Sequence, residues 1–299
     1  MKTTYHSLHA APVVAQLKKD RGPGLGRGPC SKNVLQSPKS LKILQLNING
    51  NATNASRVKL DQVLELAHSH GVQIIALQET KLSNSTSLKI KGYSILRTDR
   101  QRGNGGGLIY LIRDVGYESI SISGRITGNS SLKIQGIRVT WRGKPLNILN
   151  MYHPPDATGL PNNLANLLIG STICIGDLNA KHTVWGCSSD NKRGCDLLNL
   201  IDDKGFLFLN DVTPTHSSFS YNTREALDVS FVSPDNSPSC NWSVLDNIGS
   251  DHLPVLIEFN KRQSVAYSYK NDGILGVRIG NYLILSLSKK LKRNLLQAM

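Results

Sequence analysis

No stretch of this 299-residue chain is apolar for the roughly 18 consecutive residues that a membrane-spanning helix needs. The nearest candidate, Ile274 to Leu287, is short and broken by Arg278 and Asn281, so no membrane partner is expected. Residues 1–20 also lack the unbroken apolar core of a secretory signal. Cysteine is sparse: five residues, at 30, 174, 187, 195 and 240, odd in number and without a CxxC spacing. That argues against a disulfide framework or a zinc site and favours a reducing compartment, nuclear or cytoplasmic, over secretion. Five N-x-S/T sequons, beginning at Asn51, Asn54, Asn84, Asn129 and Asn241, do not alter this, because a chain rich in Asn and Ser makes them by chance.

Acid is nearly missing from both ends. Residues 1–40 hold seven Lys/Arg against one acid, and residues 260–299 hold eight against one. The formal charge of +14 therefore sits mostly on the tails, and the body from 41 to 259 is close to neutral at +1. Basic tails bind polyanions without sequence preference, and solvated ends read the same way. Three segments are expected: a basic flexible leader over 1–40, a globular domain over 41–259, and a basic tail of unknown role over 260–299.

Within the body, short apolar runs alternate with helical patterns. Leu41 to Ile48 reads as a strand with Ile43, Gln45 and Asn47 on one side and Leu44, Leu46 and Ile48 on the other. Leu60, Val63, Leu64 and Ala67 have helical spacing, and Gly71 stops that helix before a second strand, Val72 to Leu77. Further strands are predicted at about 108–112, 117–123, 132–141, 146–152, 173–176, 206–209, 218–221, 226–232 and 253–259. Helical segments are predicted at 164–168 and 193–204, the latter ended by Gly205. Gly103 to Gly107 is not followed by Lys-Ser/Thr, and a strand comes next, so it is a turn and not a phosphate loop. Arg100 and Arg102 beside it are candidate contacts to a polyanion backbone.

Polar residues collect where these strands stop: Asn47, Glu79, Tyr152, Asp177, Asn179, Asp228, Asp251 and His252. One of them alone would be an ordinary turn or a solvated strand end. Asp228 is the informative exception, because apolar neighbours carry it inward, where an unpaired carboxylate costs several kcal/mol. It needs a partner, and His252 is the candidate. If these ends share a rim, Glu79 with Asp251 or Asn47 offers the oxygen ligands that Mg²⁺ takes, Asp177 can deprotonate a water, and an Asp228-held imidazole can donate to phosphoryl oxygens. Such parts suit phosphodiester or phosphomonoester hydrolysis.

In order, LNIN (46–49), QET (78–80), NMY (150–152), GDLNAKH (176–182), LDVSF (227–231) and SDHLP (250–254) resemble the motifs of the endonuclease/exonuclease/phosphatase superfamily. GDLNAKHTVWG, the NKRG at 191–194 and the VTPTH at 212–216 are similar to the apurinic-like endonuclease domain of non-LTR, jockey-like retrotransposons. The resemblance covers about 41–259. It implies an α/β four-layer sandwich, DNase I-like, with two β-sheets face to face and helices outside, and nicking of one DNA strand with Mg²⁺, or Mn²⁺ in its place. Carried over, Glu79 is the principal metal ligand, Asn47 supports it and Asp251 completes the metal side. Asp177 activates water, Asn179 and Tyr152 contact the scissile phosphate, and Asp228 orients His252. The partners implied are DNA and, in a full-length protein, element RNA or a reverse transcriptase.

Two departures from the family stand out. The interval from Tyr152 to Asp177 is short, and no Tyr/Phe-x-Asp-Asp signature of a reverse transcriptase is present, so the chain is expected to be an excerpt that does not copy RNA. Other readings also stand: abasic-site, phosphoinositide or sphingomyelin phosphoesterase chemistry on the same fold, or a silent remnant that binds nucleic acid through its tails.

Overall fold

The computed structural model describes residues 39–50, 54–82, 85–99, 106–122, 131–155, 159–218 and 222–260, with strands at 2–5, 266–269, 275–279 and 282–286. Two six-stranded sheets form its body. The first runs, edge to edge, Cys240–Val244, Val255–Phe259, Leu41–Asn47, Ile74–Gln78, Leu108–Ile112 and Ser94–Thr98. Only the pair 41–47 with 74–78 is parallel in it. The second runs Leu207–Phe208, Asp228–Val232, Thr172–Asp177, Lys144–Tyr152, Lys133–Trp141 and Tyr117–Ile120. Its only parallel pair is 144–152 with 172–177.

The central strands are apolar on both sides because both sides are covered. Ile43, Ile74 and Ala76 of one sheet pack against Ile148, Ile173 and Ile175 of the other, with Tyr110 and Val232 among them. The residues between these positions face outward. Leu44, Leu46, Ile75 and Leu77 pack on Val63 and Ala67 of the helix Asn54–Ser69. Leu149, Met151, Cys174 and Phe231 pack on Leu197 and Ile201 of the helix Lys192–Lys204. The result is the expected α/β sandwich of four layers, helix, sheet, sheet, helix.

The second helix follows its sequence signals closely. The Asn191 side chain accepts from Gly194 N, and Gly205 takes the left-handed conformation at the other end. Of the strand expected at 218–221, residues 219–221 lie outside the described residues; Ser218 ends a strand His216–Ser218 that pairs with Thr223–Glu225. Strands 87–90, 94–98 and 240–244 carry half-exposed, weakly patterned residues, which hid them from a periodicity reading. Most of the basic leader and tail lies outside the described residues. The strand Lys2–Tyr5 pairs in parallel with Ser87–Ile90, and 266–286 carries a three-stranded antiparallel meander.

Candidate active site

The parallel pairs of the two six-stranded sheets end at the same pole. Strand 41–47 delivers Asn47, and strand 74–78 delivers Glu79 one residue past its end. Strands 144–152 and 172–177 end on Tyr152 and Asp177, which are register partners. Strand 228–232 runs the opposite way and starts there, so Asp228 sits opposite Asp177. Strand 255–259 also begins near this pole, bringing in Asp251 and His252.

The side chains converge in one line of hydrogen bonds and ion pairs. His252 Nδ1 lies 2.7 Å from Asp228 Oδ2, and His252 Nε2 lies 3.9 Å from Asp177 Oδ2. Asn47 Nδ2 donates to Asp177 Oδ2 at 2.8 Å and to Glu79 Oε1 at 3.1 Å. Asn179 N donates to Asp177 Oδ1 at 3.0 Å, and the Asn179 carboxamide donates to the same carboxylate and to His153 O. Asn179 is left-handed at φ 46°, so the two residues meet through a turn and not through an extended i, i+2 backbone. Asn49 Nδ2 reaches Asp251 at 3.2 and 3.3 Å, and Ser250 Oγ donates to Asn47 O at 3.0 Å. All eight strand-end residues picked from the sequence therefore lie on this rim. Arg100 and Arg102 lie outside the described residues.

Burial sets the electrostatics. Asp177 is almost fully buried, and desolvation pushes its carboxyl up to about 7 against the pull of His252. Burial would likewise lower the His252 imidazole and raise Asp228, but their mutual charge and hydrogen bond win. His252 rises to about 10 and Asp228 falls below the usual carboxylate range. An ionised Asp228 can only accept, so His252 Nδ1 carries the proton.

Several residues at this rim escaped the sequence reading. Gln45, Gln78 and Asn150 form a buried amide chain beneath it. His216, given no role of its own within the VTPTH stretch, pairs across an isolated bridge with His252, its ring edge-on at 4.6 Å. Its Nε2 is 3.8 Å from Asp251 Oδ2, and the donor atoms of His216, Asp251 and His252 lie within 4.8 Å of one another. Lys81 Nζ stands 3.7 Å from Glu79 Oε2 and donates to Asn49 Oδ1 at 2.8 Å. Four non-glycine residues here, Asn49, Glu79, Lys81 and Asn179, have φ between 40° and 51°. Such strain is held only where packing over-determines it, and it clusters at functional sites. The signal in the sequence was the polar turn after each strand.

Residues 146–256 match the model of the family described as endonuclease-reverse transcriptase. The endonuclease domain of TRAS1, a telomere-specific non-LTR retrotransposon, superposes with a TM-score of 0.57 at 20% identity, over 74% of this chain and 98% of that one. The fold is the DNase I-like one of endonuclease/exonuclease/phosphatase proteins. An AP endonuclease from Archaeoglobus fulgidus shares the fold at a TM-score of 0.52 and 17% identity, over 74% of this chain and all of that one. In sequence, the domain is 25% identical over 226 residues to a probable RNA-directed DNA polymerase from transposon BS of Drosophila melanogaster, covering 73% of this chain and 24% of that protein. The chain spans about a quarter of the length of the curated relatives it matches.

The domain holds its strand-end loops with a second set of contacts. Arg193 donates to the carbonyls of Leu178 and Asn179, and Trp185, fully buried, donates from Nε1 to Ala180 O. Asn191 ties the same loop down: its Oδ1 accepts from Lys181 N as well as Gly194 N, and its Nδ2 donates to Asn179 O. Asn191→Ala is expected to cost about 1–2 kcal/mol, a helix cap plus loop contacts, measured as a lower denaturant midpoint at unchanged m-value.

Glu225 accepts from Ser188 N, Ser188 Oγ and Lys181 Nζ. Burial alone would raise its carboxyl, but these donors hold it below the ordinary glutamate value. A depressed folded-state pKa contributes stability above the unfolded value and loses it as pH falls through the folded value. Wild type is therefore expected to lose more stability than Glu225→Gln in that acidic window. Parallel acid-unfolding curves would contradict this.

Proposed function

We propose that this domain is a divalent-metal-dependent DNA endonuclease that nicks one strand and, within a longer retrotransposon protein, leaves a primer end. The observation that carries the reading is the continuous line from Glu79 through Asn47 and Asp177 to His252 and Asp228 on one rim. We take residues 41–259 as the catalytic unit and assign DNA as substrate, with element RNA or a reverse transcriptase as partners of the longer protein. Among the described residues no helix is long and apolar enough to cross a membrane.

The donor set fits Mg²⁺ or Mn²⁺: the Glu79 and Asp251 carboxylates and the Asn47 carboxamide are hard oxygen donors, and the Lys81 ammonium already stands beside Glu79 as a cation would. When bound there, such an ion supplies charge neutralisation at a phosphoryl oxygen. The chain's own residues do the rest. Asp177, poised near neutrality, orients a water and takes its proton. His252, protonated and fixed by Asp228, donates from Nε2 to the phosphoryl oxygens as charge builds. Asn179 and Tyr152 border the same space and contact the scissile phosphate.

The test is relaxation of supercoiled plasmid. Nicking is expected with Mg²⁺ and to cease with EDTA, and intact duplex should be cleaved in preference to a phosphoinositide. Persistence in EDTA removes the metal assignment. Preference for abasic duplex or for the lipid reassigns the substrate.

A further inference from the structure

Beneath the rim, three amide side chains cross the interface between the two sheets, in a layer filled mostly by apolar residues. Asn150 Nδ2 donates to Leu77 O at 3.2 Å, and Gln78 Nε2 donates to Asn150 Oδ1 at 2.6 Å. Gln45 Nε2 then donates to both Gln78 Oε1 at 2.8 Å and Asp228 Oδ1 at 2.7 Å. All three amides and Asp228 are fully buried. The orientation of each is fixed by its neighbour. Leu77 O can only accept, which turns Asn150 and then Gln78, and at the far end the Asp228 carboxylate can only accept as well.

Gln45 meets both demands with its two N–H groups, and its own Oε1 is left buried with no hydrogen-bond partner among the described residues. A buried acceptor left unmatched is costly and uncommon. Turning the amide over would aim that oxygen at Asp228 and give up both donations, so the chain keeps the cost. What it gains is the rotation of one carboxylate: with Oδ1 held by Gln45, and Asp228 N donating to Thr215 Oγ1, Oδ2 is aimed at His252 Nδ1.

We infer that Gln45 is a positioning residue for the Asp228–His252 pair, with the Gln78–Asn150 amides fixing its orientation across the two sheets. The inference rests on the site reading above and names a residue that acts through Asp228, without touching substrate. Gln45 also lies two residues before Asn47, and Gln78 one before Glu79, so one chain of amides sets both halves of the rim.

The test uses Gln45→Met, which keeps an unbranched side chain of similar volume, with Gln73→Met as control. Gln73 is a largely buried amide at the opposite end of the same two strands, accepting from Lys42 N and donating to Gly71 O. The His252 Nδ1 proton, assigned by its loss in His252→Gln, is followed in the proton NMR spectrum downfield of the amides. Gln45→Met is expected to move or broaden it and to lower kcat on plasmid about 10- to 100-fold at unchanged KM. Gln73→Met is expected to leave the resonance and kcat in place. A resonance unmoved in Gln45→Met, or moved equally in Gln73→Met, overturns the inference. If Gln45→Met does not fold, Gln78→Met is read instead: a smaller shift supports the role and an unchanged signal overturns it. A moved resonance in a protein that nicks no DNA supports the positioning and removes only the activity.

Discussion

Asp177→Asn is expected to lower plasmid nicking about 10²- to 10⁴-fold while DNA affinity stays within a few-fold of wild type. The substitution keeps shape and volume, so Asn179 N retains an acceptor. What changes is charge and basicity. The carboxylate accepts from Asn47 and from two Asn179 donors and faces His252 Nε2 at 3.9 Å, in surroundings that raise its carboxyl to about 7. A carboxamide cannot take a proton from water, and its N–H groups would oppose those of Asn47. Single-turnover nicking, gel-shift affinity and a thermal melt on the same preparation separate loss of chemistry from loss of fold. Undiminished nicking by Asp177→Asn, and by His252→Ala beside it, would mean that the hydrolytic centre lies elsewhere.

Gly176→Ala is expected to remove the folded state, at a cost above about 4 kcal/mol, seen as loss of soluble protein or of a cooperative melt. Gly176 sits one residue before Asp177, with φ at 148°. A Cβ there would fall 1.9 Å from Met151 O, on the neighbouring parallel strand, and 2.7 Å from Met151 C. These are backbone atoms in the middle of a sheet, so relief requires the two central strands to part. The same two strands hold Asp177 opposite Tyr152. Gly116→Ala is the matched control, since nothing lies within 4 Å of a Cβ added there. It is expected to stay within about 0.5 kcal/mol of wild type. A cooperative melt of Gly176→Ala near the wild-type temperature would contradict the tight strand pair.

Much of the scaffold was legible because local chemistry and tertiary role agree. Gly205 marked the end of the second helix by the capping rules alone, and Asn191 caps its start. The runs around Ile43 and Ile175 are apolar at nearly every position that a doubly covered strand requires, Gln45 being the exception, and the polar residue after each marks its end. The half-exposed strands 87–90, 94–98 and 240–244 were not legible, because edge positions impose no period on their side chains. Gln45 read as an ordinary strand residue, and Gln78 only as the start of the QET motif just past a strand. A buried amide is conspicuous only once its partners, up to 183 positions away, are known.

The sequence by itself determined which groups are available: a carboxylate, carboxamide or phenol at the ends of several core strands, and one inward-facing Asp228 that demanded a partner. Only the tertiary structure decided that the parallel pairs of the two six-stranded sheets end at the same pole, that His252 meets Asp228 at 2.7 Å, and that His216 and Lys81 join the rim. The reason is range. Turns and caps are settled within a few residues, whereas convergence depends on the order and direction in which strands pair, and that is fixed by burial of both sheets at once.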